Sequence, residues 1–210
     1  MNMRFFFLII LTLIDFIVPA QNYHPFPSKH TLWTELVTGP NFEDYHGFDS
    51  FALKNSDTII NEKLYHKLYR STDTLFTEAK LCGGIREENK RIYFYAIDSV
   101  PYPGMYTYPS KKKEIILYDF SLKLGDSISN RDNYHTGSDY AKVIKVDSIL
   151  TEVGYRKRWT FGKAPLRPYT DAQWIEGIGS IKGLLFVLGD IPMNGPYNDL
   201  MCVRQENKWI

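Results

Sequence analysis

Cysteine, long apolar runs and an excess of either charge are all scarce in this sequence of 210 residues. Its cysteines, Cys82 and Cys202, are too few for a disulfide framework. Each has apolar neighbours, Leu81 and Gly83 for one, Met201 and Val203 for the other. They suit one long-range disulfide and two small buried hydrophobes equally well. Lys and Arg number 25 against 24 Asp and Glu, a formal net charge of +1. That balance gives no electrostatic case for nucleic acid or an anionic membrane as partner. The one basic run, Lys111-Lys112-Lys113, meets Glu114 at once and reads as a solvated loop or strand end. The five histidines (His24, His30, His46, His66, His135) have no metal-ligand spacing, and neither cysteine has a close partner, so no metal or cofactor is expected. Gly-x-Ser-x-Gly elbows and Asp-x-Asp-x-Asp-Gly calcium loops are missing.

The longest apolar run stands at the start. Met1 to Arg4 carry one positive charge, Phe5 to Val18 are apolar apart from Thr12 and Asp15, and Val18-Pro19-Ala20 closes the run with small residues. This is the pattern of a signal peptide over residues 1–20, with cleavage before Gln21. The run is short of the about 20 apolar residues of a membrane helix, and nothing later approaches that length. No cysteine follows the cleavage point closely, so a lipid anchor is not expected. The chain is therefore expected to be secreted or periplasmic, with residues 21–210 forming a single β-rich domain.

Helical periodicity is hard to find, whereas short runs of Val, Ile, Tyr and Phe recur between turn residues. Strands are predicted at Trp33 to Val37, Phe48 to Leu53 (ending at Asn55-Ser56-Asp57) and Leu64 to Tyr69. Further strands are predicted at Ile115 to Phe120, Ala141 to Leu150, Tyr155 to Phe161, Trp174 to Ile178, Leu184 to Leu188 and Leu200 to Val203. A hairpin is predicted from Leu81 through the turn Glu87-Glu88-Asn89-Lys90 to Ile97, and another at the C-terminal end through Gln205-Glu206-Asn207. The fold class is all-β, an antiparallel meander forming a barrel, half-barrel or sandwich. Its core is expected to include Leu64, Leu68, Ile92, Phe94, Ile116, Tyr118, Val143, Trp159, Trp174 and Ile178.

Few residues offer chemistry. The stretch Trp174 to Gly183 contains Gly177-Ile178-Gly179, but the third glycine comes one residue late for a dinucleotide fingerprint and no strand-then-helix unit surrounds it. A bulge or sharp bend explains the glycines better. Glu176 is the first carboxylate to consider for acid or base catalysis, and it needs a second group such as Asp119, Asp171 or Asp190. Tyr102, Tyr106 and Tyr108, interleaved with prolines, form a candidate aromatic surface for a glycan or protein partner.

The blocks Asp57 to Tyr69, Ile85-Arg86-Glu87-Glu88, Leu117 to Leu122, Gly125-Asp126 and Ile175 to Ser180, in that order, resemble a loosely defined group of exported proteins from Bacteroidota-type bacteria. The resemblance implies export and transfers no catalytic residue. Some members carry a C-terminal sorting domain for type IX secretion, which the sequence up to Ile210 does not show. Arg86 is a candidate partner for Asp119 or Glu176. The expected function is a noncatalytic extracytoplasmic binding or structural module. The alternatives are a hydrolase of an envelope or extracellular polymer using Glu176, or a carrier of a small apolar ligand.

Overall fold

Alternating apolar and polar side chains, broken by residues that accept positive φ, generate strands along most of the chain. The computed structural model describes residues 22–39, 46–73, 75–97, 100–101, 107–108, 113–129, 141–162, 172–188 and 197–210. The expected signal peptide and its cleavage point lie outside these residues. The strands are β1 (Thr31–Thr38), β2 (His46–Ile60), β3 (Lys63–Ser71), β4 (Lys80–Glu88), β5 (Arg91–Ala96), β6 (Val100–Pro101), β7 (Thr107–Tyr108) and β8 (Glu114–Asp119). They continue with β9 (Ser127–Ile128), β10 (Ala141–Thr151), β11 (Gly154–Gly162), β12 (Gln173–Ile175), β13 (Gly179–Ser180), β14 (Tyr197–Gln205) and β15 (Lys208–Trp209). No helix occurs among the described residues.

The strands form two main antiparallel sheets, ordered β15-β14-β1-β2-β3-β4-β5-β8 and β13-β12-β11-β10-β9, with β6 and β7 as a separate ribbon. Register irregularities interrupt five of the strand pairs, among them β2 with β3 between Leu53 and Asp57 and β10 with β11 between Val143 and Lys145. Such bulges increase local twist, and both sheets curl into half-barrels. The all-β, antiparallel expectation holds. Three hairpins turn on two residues of positive φ: Asn61 and Glu62, Asn89 and Lys90, Glu206 and Asn207. That backbone matches the right-handed twist of the flanking strands, and it realises both predicted hairpin turns.

The two sheets enclose an aromatic core. Trp33, Phe51, Phe94 and Tyr118 from the first sheet meet Trp159, Phe161 and Trp174 from the second, all with at most 1% of their surface exposed. Trp174 lies edge-on to Tyr118 at 5.1 Å between centroids and 4.4 Å from Phe161, while Phe120 lies 5.3 Å from Trp159. Each indole N–H reaches a backbone carbonyl: Trp33 that of Ile178, Trp159 that of Leu122, Trp174 that of Val187. Buried donors are thereby satisfied, as the low dielectric demands.

Four sequence expectations need correction. The strand predicted at Trp174 to Ile178 ends at Ile175, and residues 176–178 form the turn into β13. Leu64 is not in the core but 56% exposed. It shares a face with His66 and Leu68, as alternation requires, yet sits near the tip of the β2–β3 hairpin, next to the Asn61-Glu62 turn. The strand expected to end at Asn55-Ser56-Asp57 instead runs on to Ile60, because Lys54, Asn55 and Ser56 are absorbed as a bulge against Lys67 and Asp57 resumes the pairing opposite His66. Leu184 to Leu188 form no strand. Their apolar run is a crossing segment, with Leu184, Leu185, Val187 and Leu188 buried in the core.

These positions predict opposite responses to truncation. Phe161→Ala should lower stability in urea by about 3–5 kcal/mol, as a buried ring lost from a packed core. Leu64→Ala should change it by no more than about 0.5 kcal/mol. Equal effects of the two substitutions would contradict this core.

Candidate functional site

Glu176 follows β12, whose Trp174 points into the core. The next residue, Gly177, takes φ 69 to bend the chain. A Cβ there would stand 2.6 Å from Arg156 Nη1 and 3.0 Å from the carbonyl oxygens of His24 and Pro25. The glycine therefore allows residues 23–27 to pass over the bend as a strap. Tyr23 donates its hydroxyl to Glu87 at 2.6 Å, the Phe26 N–H donates to the same carboxylate at 2.8 Å, and the Phe26 ring stacks on Trp33. The sequence reading that the glycines serve chain geometry is what the structure places here.

Beneath this strap Glu176 is only 3% exposed. Arg156 donates to the Glu176 main-chain carbonyl at 2.9 Å, and burial lowers the Arg156 pKa despite the nearby carboxylate. Asp119, the second group considered, is 1% exposed. It is bound by Arg91 Nε at 2.7 Å and by the Ser121 N–H at 2.9 Å. Both carboxylates are close enough to act on Tyr23 electrostatically, but both are buried, and neither lines the openings formed by the described residues. Asp171 and Asp190 lie outside the described residues, as do Tyr102 and Tyr106. Tyr108 is described only as part of the backbone of β7.

Arg86 pairs with neither Asp119 nor Glu176. It lies on the outer face of the first sheet, where its Nε donates to Glu114 at 2.8 Å and its Nη1 to Glu88 at 2.8 Å. The guanidinium covers the Tyr93 ring at 4.0 Å, and Tyr65 donates its hydroxyl to Glu114. Burial opposes ionisation of Glu114, but hydrogen bonds from Arg86, Tyr65 and Lys63 outweigh it and bring its pKa down to about 2.

A second buried polar group was missed by sequence reasoning. Glu35 and Asp49 face each other across β1 and β2, both fully buried. The signal was present: Glu35 alternates with Trp33 and Val37, and Asp49 with Phe51 and Leu53, which places two carboxylates on apolar strand faces. Arg70 Nε donates to both Asp49 oxygens, at 2.7 and 2.8 Å. No group of three or more His, Cys, Asp or Glu side chains arranged for a metal occurs among the described residues.

Openings in the described surface are shallow and mixed. One of about 610 Å³ is lined by aliphatic residues including Leu150, Ile175, Ile181, Met201 and Ile210. A smaller one of about 360 Å³ lies beside the strap and His66; the His66 Nδ1 is 2.7 Å from its cross-strand neighbour Asp57. Compared with known proteins, the chain matches no family model, no curated protein and no solved structure. What the fold and these groups define is a class: an all-β protein of two half-barrel sheets around an aromatic core.

Both cysteines are free thiols. Cys82 on β4 and Cys202 on β14 are separated by β1, β2 and β3, four strand spacings or roughly 19 Å along the sheet, which is well beyond disulfide reach. Burial pushes the Cys82 thiol up to about 12, and its Sγ donates to the Leu68 carbonyl at 3.2 Å. Alkylation of the native protein at neutral pH should therefore label Cys202 first and Cys82 only after unfolding. A mass unchanged by alkylation of the unreduced, unfolded chain would show a bridge instead.

Proposed function

We propose that this chain is an exported, noncatalytic binding or structural module that acts through its outer surface. The observation that carries the reading is the combination of aromatic rings packed between the sheets with buried carboxylates. Stacked and edge-on rings occupy the space between the sheets, where a carrier of a small apolar ligand would need a cavity. Glu176, the carboxylate a hydrolase would use, lies under the strap and out of reach of a polymer chain.

Export is supported by the charged, apolar and small-residue order of residues 1–20 and by the resemblance to exported proteins of Bacteroidota-type bacteria. Loss of the segment before Gln21 would leave two residues ahead of Tyr23, so the strap would be the start of the mature protein. Its partner is a protein or a glycan met outside the cytoplasm.

Two measurements test this reading. N-terminal sequencing of the protein recovered from the periplasm or medium should begin at Gln21; accumulation in the cytoplasm with Met1 intact would contradict export. Wild-type protein incubated with insoluble peptidoglycan, polysaccharide and denatured protein should release no soluble fragment. Fragment release by the wild type that disappears in Glu176→Gln would establish the hydrolase instead.

A further inference from the structure

Cross-strand register lays one row of side chains over the outer face of the first sheet. Trp209 pairs with Arg204, Arg204 with Leu32, Leu32 with Ala52 and Ala52 with Tyr69. Directly opposed residues share a face, and their chain neighbours Trp33, Phe51 and Val203 point into the core, so this row points away from it. It runs from β15 to β3, four strand spacings or roughly 19 Å. Aromatic rings stand at both ends, the half-exposed Trp209 at one and Tyr69 at the other. Between them Leu32 and the small Ala52 make a low apolar floor. An opening of about 610 Å³ lies over that floor, with Phe76 in its wall and the exposed His30, Asn55 and Asn207 around it. Phe76 is presented by a loop that Asp73 ties together, its carboxylate accepting the Ser71 hydroxyl at 2.6 Å and the Thr77 N–H at 3.1 Å.

Two cations border the opening. Lys54 Nζ lies 5.1 Å from the centre of the Tyr69 ring and 5.2 Å from that of Phe76, and the Arg204 guanidinium lies 5.8 Å from that of Trp209. The rings hold these charges in place without neutralising them. Elsewhere on this sheet Arg70, Arg86 and Arg91 each pair with a carboxylate. Lys54 and Arg204 pair with none among the described residues, although Glu206 lines the same opening.

We propose that this row is a binding site for an acidic glycan, a polysaccharide whose sugar rings carry carboxylates. The proposal rests on the binding reading given above and names the ligand class. Pyranose rings present flat C–H faces, which Phe76 and Trp209 are placed to receive. Lys54 offers a point charge to a sugar carboxylate, and Arg204 a planar fork that takes both its oxygens. Asn55 and Asn207 donate to and accept from hydroxyls, and Glu206 accepts from a hydroxyl, which a sugar offers beside each carboxylate. An extended peptide gains its main-chain bonds at an unpaired strand edge, whereas β14, β1 and β2 beneath the opening each have a neighbour on both sides. The face therefore favours a ligand that binds through rings, hydroxyls and charge.

Titration calorimetry of the purified protein tests the site. Oligogalacturonate and oligomannuronate serve as carboxylated glycans, a dextran oligosaccharide as a neutral one, and polyglutamate and oligothymidylate as anionic chains without sugar carboxylates. The two oligouronates should bind, more weakly as salt rises, and the other three should bind at least about tenfold more weakly. Arg204→Gln and Lys54→Gln should each weaken oligouronate binding by about tenfold, and Trp209→Ala by about fivefold. Lys142→Gln, the same charge change at an exposed position of β10, should leave it unchanged. Wild-type protein that binds neither oligouronate would overturn the site and leave the binding reading standing. Equal loss in Lys142→Gln would overturn it as mere charge attraction, and equal binding of polyglutamate or oligothymidylate would assign the face to polypeptide or nucleic acid instead. If binding follows the variants but the oligouronate gains new reducing ends, the site stands and the noncatalytic reading falls.

Discussion

The Tyr118 side chain is the contact on which the rest of the structure depends. It is fully buried on β8, at the edge of the first sheet. Its hydroxyl donates to the Leu184 carbonyl at 2.6 Å and accepts the Ser180 N–H at 3.2 Å. Its ring meets Phe26 of the strap, Phe120 and Trp174. One side chain thus ties together the first sheet, the second sheet, the crossing segment and the N-terminal strap. Among the described residues no strand pairing joins the two curled sheets; aromatic packing and a few polar ties do that work.

Those ties explain why buried acids are tolerated in an otherwise aromatic interior. Asp49 is held by Arg70 within the first sheet, whereas three other carboxylates stand at an end of a chain segment that lacks strand pairing: the half-buried Glu87 at the strap, Glu35 at the crossing segment and Asp119 at the turn after β8. They satisfy backbone N–H groups that the sheets leave without partners. This use of acids accounts for the difference between carboxylates that are plentiful in the sequence and a surface on which none converges on an open cleft among the described residues.

Much of the fold was legible because it is local. Alternation along Ala141 to Leu150 and Tyr155 to Phe161, and the Asn89-Lys90 turn, depend on neighbours a few residues away. Leu184 to Leu188 misled because a short apolar run looks the same whether it pairs in a sheet or crosses a core. Leu64 misled because alternation assigns a face but not whether anything covers it. The candidate site was less legible: that Glu176 is sealed rather than presented depends on a strap some 150 residues earlier in the chain, and that Arg86 turns to Glu114 depends on the pairing of β5 with β8. Glu35 and Asp49 were visible as acids on apolar faces, but their partners Leu184, Asn198 and Arg70 come from distant segments.

The most direct test of the account is the equilibrium unfolding of Tyr118→Phe in urea, followed in parallel by tryptophan fluorescence and far-ultraviolet circular dichroism. The account predicts a single coincident transition, less stable than wild type by about 1–3 kcal/mol, because the Leu184 carbonyl and the Ser180 N–H lose their shared partner in a dry core. Unchanged stability, or two transitions in which the sheets unfold separately, would contradict it.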